Sequence, residues 1–203
     1  MRDDLLASLE SVRWDTALRT FGNSHATLVG LLVDWWISGS PLDRYALEGG
    51  PSFGYRSRST GGGGQCDAIL VEGELSRGVV EVEGTRYHDT IDKIGKFFAA
   101  EYSDLATLEF GVLLAYPTGP QGRGQGRTIT ALPLDEFVRR GQRVTKEYVG
   151  RQLAILVLDK EWEPQQSGPR ARTEYYQGRP AQVRGSLLQD GKELARRVLM
   201  PRR

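Results

Sequence analysis

The sequence predicts an α/β domain in which a mixed sheet is flanked by helices, and three observations carry that prediction. Helical periodicity fills the first forty residues and gives way to short strand-like runs from Ser52. Two unbroken apolar runs follow, Leu108 to Pro117 (LEFGVLLAYP) and Gln152 to Asp159 (QLAILVLD), and each suits a strand covered on both faces. Between the shorter strands and the first of these runs lies a further amphipathic helical pattern.

Composition bounds the answer. With 203 residues, 39% hydrophobic and 26% charged, the chain can fill one core or two small ones, which excludes global disorder. Lys+Arg (27) and Asp+Glu (26) cancel to +1, excluding a histone-like class and any global field that would steer nucleic acid. The single cysteine, Cys66, makes no internal disulfide and fits a reducing compartment. The N-terminal MRDDLLASLE has no apolar signal region, and the longest apolar run, Thr27 to Ile37, holds Asp34 and is too short to span a bilayer. A soluble cytoplasmic protein with no membrane span is therefore expected.

Taken in order, Asp3 to Thr20 reads as a helix with Leu5, Leu6, Leu9, Val12 and Leu18 near a 3.6 spacing. Asn23 or Ser24 caps a second helix, HATLVGLLVDWWIS, which is apolar nearly all round and so is expected to be buried. Three strands follow: FGYRSR, QCDAILVE and RGVVEVE. A helix from about His88 to Tyr102 buries Ile91, Ile94, Phe98 and Tyr102 and carries a polar stripe of Asp89, Asp92, Lys93 and Lys96. After the strand at Leu108 to Pro117, TGPQGRGQGRT reads as a loop and PLDEFVRR from Pro133 as a short helix. Glycine, 25 residues in all, clusters at Gly61 to Gly64 and Gly119 to Gly126. Residues 1–163 are read as the main domain and 164–203 as a basic extension, a hairpin-and-helix appendage packed on or exchanged from that domain; it holds nine Lys/Arg and three Asp/Glu.

The sharpest chemical feature is Asp67 in QCDAIL followed by Glu81 and Glu83 in VVEVEG. Strand alternation puts Glu81 and Glu83 on one face and Val80 and Val82 on the other. If a three-residue loop, Gly73-Glu74-Leu75, joins the two strands, residue i pairs with residue 148 − i and Asp67 lies opposite Glu81. Their Cβ atoms would then be about 5 Å apart, and a divalent cation would offset the repulsion. A two-residue turn at Gly73-Glu74 would instead pair Asp67 with Val80, so an odd loop or a bulge is required. The competing reading is an edge hairpin whose acids face solvent.

The order helix, strand, strand with Asp, strand with Glu-x-Glu, helix, apolar strand, over about Ser24 to Pro117, resembles the αβββαβ core of the PD-(D/E)xK nuclease superfamily. The resemblance implies a restriction-endonuclease-like fold. It implies that Asp67, Glu81 and the main-chain carbonyl of Val82 hold Mg²⁺, with Mn²⁺ as substitute. Cys66 stands where the family often has Pro, and Glu83 where it usually has Lys. Some members carry Glu at that position and in others the lysine moves to the following helix, where Lys93 or Lys96 lies. Catalytic roles are thus expected for Asp67, Glu81, Glu83 and Lys93. Family members also contribute an acid from the first core helix, which here is Asp34.

The remaining candidates carry weaker signals. His25 reads as a capping-region histidine, and His88 begins the post-motif helix. Two histidines with no matching cysteines give no zinc signature. GGGGQ lacks the Lys-Ser/Thr ending of a phosphate loop. Arg123 and Arg127 suit either a phosphate contact or a plain loop.

The function implied by the resemblance is a Mg²⁺-dependent endonuclease hydrolysing DNA, of restriction, defence or repair type, with a homodimer as partner. Arg170, Arg172, Arg179, Arg184, Arg196 and Arg197, with Tyr175 and Tyr176, suit a DNA backbone, a solvated tail or a dimer contact. The alternative function is a catalytically inactive nuclease-fold module that binds nucleic acid or protein, the Lys-to-Glu change marking lost chemistry.

Overall fold

The computed structural model describes residues 5–14, 24–39, 43–48, 55–56, 63–64, 66–85, 98, 108–118, 128–162 and 179–200. Its centre is a mixed, open eight-stranded sheet of α/β type. The elements are α1 (Leu5–Ser8), α2 (Ser24–Ser38), β1 (Arg44–Glu48), β2 (Tyr55–Arg56), β3 (Gly63–Gly64), β4 (Ala68–Glu72), β5 (Leu75–Thr85), β6 (Phe110–Pro117), β7 (Thr128–Thr130), α3 (Leu134–Glu147), β8 (Gln152–Trp162), β9 (Arg179–Gln189) and β10 (Lys192–Met200). The main sheet runs β1-β4-β5-β6-β8-β9-β10, with β7 paired to β8. Strands β5, β6 and β8 are parallel to one another, while β4 and β9 run against their neighbours.

Two cores lie on the two faces. On one face α1, the 3-10 turn that follows it and α2 pack Leu6, Leu9, Leu32 and Trp36 against Val80, Val82, Val112, Leu114 and Leu156. On the other, α3 packs Phe137 and Val138 against Val79, Leu113, Ile155 and Val157. The residues that alternate along β6 and β8 thus go to opposite cores, which is why both strands read as continuous apolar runs. Phe98 from the expected helix at 88–102 is buried in the second core; the rest of that helix, including Lys93, Lys96 and His88, lies outside the described residues.

Several expectations change. Within the described residues the N-terminal helix is one α-turn followed by a 3-10 turn, Leu9–Ser11, and Val12 is extended. Ser8 and Ser11 donate their hydroxyls to Leu5 O and Ser8 O, the local side-chain bonding by which serine competes with helix propagation. Helix α2 is buried on one side only: Ala26, Gly30, Asp34 and Ile37 are exposed. The first strand of the sheet is Arg44–Glu48, not FGYRSR, of which Tyr55–Arg56 pairs with Gly63–Gly64 in a separate two-stranded ribbon. The described part of the basic extension holds no helix. It is a hairpin inside the main sheet, with β9 paired along β8 from Gln152 to Glu161.

The turn between β4 and β5 decides the position of the acids. Ala68, Ile69 and Leu70 pair with Val80, Val79 and Gly78, following 148 − i, whereas Val71 and Glu72 pair with Ser76 and Leu75. The loop is therefore the two-residue Gly73-Glu74, with Gly73 at φ +60, and a β-bulge at Arg77 supplies the odd residue. Arg77 is pinned there by ion pairs to Glu72 at 3.3 Å and Glu109 at 2.6 Å, and its carbonyl accepts the Glu109 amide. The bulge restores the face that a plain two-residue hairpin would have inverted.

Candidate active site at the carboxyl ends of the parallel strands

Parallel strands present their carboxyl ends to ligands in open α/β sheets. At that end stand Glu81 and Glu83 on β5, Tyr116 on β6 and Lys160 on β8. The first turn of α2 arrives at the same end, because its far end is fixed elsewhere. There Trp36 Nε1 donates to Tyr45 O and Val71 O, each at 3.1 Å.

Asp67 immediately precedes β4. Its amide donates to Val80 O at 3.1 Å, and its carboxylate Oδ2 accepts the Val82 amide at 2.6 Å. The side chain thus takes the ladder position that a strand carbonyl would otherwise fill, in the plane of the sheet. The other oxygen, Oδ1, lies 3.3 Å from His25 Nε2. His25, read from sequence as a capping residue, is therefore a neighbour of the acidic site. Both residues line a groove of about 640 Å³ that continues past Val29, Gly30 and Leu47 between α2 and the edge strand β1.

Glu81 and Glu83 are 2% and 8% exposed. Val80 and Val82 belong to the α2 core and Val79 to the α3 core, so alternation directs both glutamates to the α3 side. Asp67 meets His25 of α2, whereas Glu81 and Glu83 turn to the α3 side of the sheet. Among the described residues no three His, Cys, Asp or Glu side chains close into a metal-binding group.

Asp34 lies apart, two and a half turns along α2 from His25. Its carboxylate is half exposed, 3.3 Å from Arg13 Nη2, and accepts the Ser38 hydroxyl. Cys66 is buried in the α3 core.

No family model and no curated protein matches this chain. Its site must therefore be judged on its own geometry.

Two further polar residues stand at this end of the sheet, on its α2 face. The Tyr116 ring lies across Gly84, its register partner, so that any Cβ at Gly84 would collide with the hydroxyl. Burial raises the pKa of this phenol above its ordinary value, and the negative Glu83 and then Asp67 raise it further. Lys160 is 2% exposed, with its ammonium 4.6 Å from the centroid of Tyr116 and 5.9 Å from that of Trp162. Burial pulls its pKa down to about 8. Lys160 has a sequence signal, since Leu156, Leu158, Lys160 and Trp162 share one face by alternation, but it lies beyond the apolar run that closes at Asp159.

Three arginines of the C-terminal hairpin are engaged within the protein. Arg184 binds both oxygens of Asp159, at 2.8 and 3.1 Å, and donates to Leu132 O. Arg196 bridges Glu193 and Asp135, and Arg197 pairs with Glu10. Arg123, Arg127, Arg170, Arg172, Tyr175 and Tyr176 lie outside the described residues. Among the described residues no helix is long and apolar enough to cross a membrane.

Proposed function

We propose that this chain is a metal-dependent deoxyribonuclease that hydrolyses DNA phosphodiester bonds, built on a restriction-endonuclease-like core. The observation that carries the reading is the Asp67 carboxylate lodged against the Val82 amide, beside the Glu81–Glu83 segment, at the carboxyl ends of three parallel strands. The element order supports it: α2, β1, β4 and β5 occur in that order, with the β2–β3 ribbon between β1 and β4, and β6 returns parallel to β5 after residues 86–107.

The donor chemistry suits a hard divalent ion. Asp67 and Glu81 offer carboxylate oxygens, and the Val82 carbonyl points to the same side of β5 as its amide, toward Asp67. Oxygen donors of this kind favour Mg²⁺, with Mn²⁺ as substitute, over zinc. When bound, such an ion lowers the pKa of a coordinated water and offsets charge on the phosphate.

The protein's own groups would do the rest. The Val82 amide and His25 fix the orientation of Asp67. Glu83, in the usual lysine position, accepts a proton from the attacking water. Lys93 on the following segment is the candidate cation of the resemblance. A homodimer would allow two strands to be cut.

Supercoiled plasmid incubated with Mg²⁺, Mn²⁺ or EDTA, beside Asp67→Ala and Glu81→Ala, tests this. Cleavage that requires metal and both acids is expected; cleavage indifferent to both substitutions would end the proposal. A second reading is favoured by one specific residue, Glu83 in place of the lysine: a nuclease fold that binds DNA or protein without cutting. It predicts no metal-dependent nicking.

A further inference from the structure

Beside α2 the sheet leaves a groove of about 640 Å³, a volume that small side chains keep open. Ala46 of β1 and Ala68 of β4, both turned to the α2 core, line one side of it, and Val29, Gly30 and Val33 of α2 line the other. A glycine in the interior of a helix lowers its stability, and Gly30 stands near the middle of α2. Packing gives no reason for it. Among the described residues nothing lies within 4 Å of where a Cβ on Gly30 would stand, so the space beside it is open to a ligand.

The lining is apolar except at one end, where His25 and Asp67 meet at 3.3 Å. Among the described lining residues there is no lysine or arginine, so an anionic ligand would find no such cation along the groove. A donor finds a carboxylate. Carboxylates accept at about four lone-pair positions, and Asp67 uses two of them, on the Val82 amide at 2.6 Å and toward His25. Its side chain remains 21% exposed, which leaves acceptor capacity for a group arriving along the groove. Between apolar walls the attraction of a cation to this carboxylate is screened less than at an open surface.

We infer that this groove binds a small aliphatic amine, with the ammonium held by Asp67 and the hydrocarbon tail laid along Val29, Gly30 and Val33. The Val82 amide and His25 hold the carboxylate in place for it. The site goes beyond the nuclease reading and does not depend on it, because Glu81 and Glu83 turn to the other side of the sheet.

The test titrates the isotope-labelled full chain, in EDTA, with n-hexylammonium, n-hexanol and n-hexanoate and reads dissociation constants from backbone amide shifts. Wild type is expected to bind n-hexylammonium saturably, with shifts at Val29, Gly30 and Ala68. The alcohol should bind on the order of 10-fold more weakly, and the carboxylate more weakly still. Gly30→Leu projects a side chain into the groove without meeting the protein, and it should abolish saturable binding while thermal unfolding shows the fold intact. Asp67→Asn should reduce the amine to the affinity of the alcohol; if that variant does not fold, the head-group series in wild type still decides the part played by charge. Absence of saturable amine binding by wild type, binding that survives Gly30→Leu, or alcohol or carboxylate bound as tightly as the amine overturns the proposal. Plasmid nicking enters none of these readings, so failure here and failure of the nuclease reading are told apart.

Discussion

The carboxylate of Asp67 accepts the backbone amide of Val82 at 2.6 Å, a side chain standing in for the neighbouring strand. Removing it leaves a part-buried N–H without that acceptor. Asp67→Ala should therefore lower unfolding free energy by about 1–3 kcal/mol. Asp67→Asn, whose amide oxygen can still accept, should lose less stability yet lose metal-dependent activity as fully. Urea titrations of the two variants, run beside nicking assays, separate the structural part of Asp67 from the chemical part.

The contact between Gly84 and Tyr116 predicts a steric coupling. Gly84→Ala should cost about 1–3 kcal/mol, since the new methyl meets a ring wedged against Lys160. In a Tyr116→Ala background the same change should cost much less. Equal costs in the two backgrounds, measured by denaturant unfolding, would show that the ring yields freely.

Arg184 is predicted to act on stability. Asp159 is 1% exposed and receives both Arg184 contacts together with the Leu132 amide. Arg184→Met would strand a buried carboxylate, at a cost of about 3 kcal/mol, and adding Asp159→Leu should restore much of it. A salt titration of DNA affinity with the same slope in wild type and the double variant would confirm that Arg184 touches no phosphate.

Much of the sheet was legible because its strands obey simple periodicities. β4, β5, β6 and β8 announce themselves by alternation or by unbroken apolar runs. β1 did not, since RYALE is a short edge strand whose Tyr45 and Leu47 remain partly exposed, so that five residues carry too little alternation to mark it. The C-terminal hairpin carried a readable Asp190-Gly191 turn, both residues at positive φ, but its basic composition suggested an appendage. The acidic site was legible as far as the register condition. The bulge at Arg77 that satisfies it was not, because it depends on ion pairs to Glu72 on β4 and to Glu109 just before β6. The contact of His25 with Asp67 was not legible because it depends on where α2 begins relative to β4, which sequence spacing does not encode.

Lys160 should also leave a mark on the pH dependence of stability. Its folded pKa, about 8, lies below the unfolded value, so between them the unfolded chain binds more protons and stability rises with pH. The penalty for keeping Lys160 charged is fully present below pH 8 and is relieved as pH climbs above it. Relative to Lys160→Met, wild-type unfolding free energy should therefore increase from pH 8 to about 9.5, below the ordinary midpoint of tyrosine ionisation. A flat difference over that window would contradict a buried ammonium.

The most direct measurement is the rate of nicking of supercoiled plasmid by the purified chain across a Mg²⁺ titration, with Glu81→Gln and Asp67→Asn in parallel. Cleavage that rises with Mg²⁺, disappears in EDTA and is lost in both isosteric variants is the predicted result. Cleavage that persists in both variants, or none by the wild-type protein with either Mg²⁺ or Mn²⁺, would contradict it.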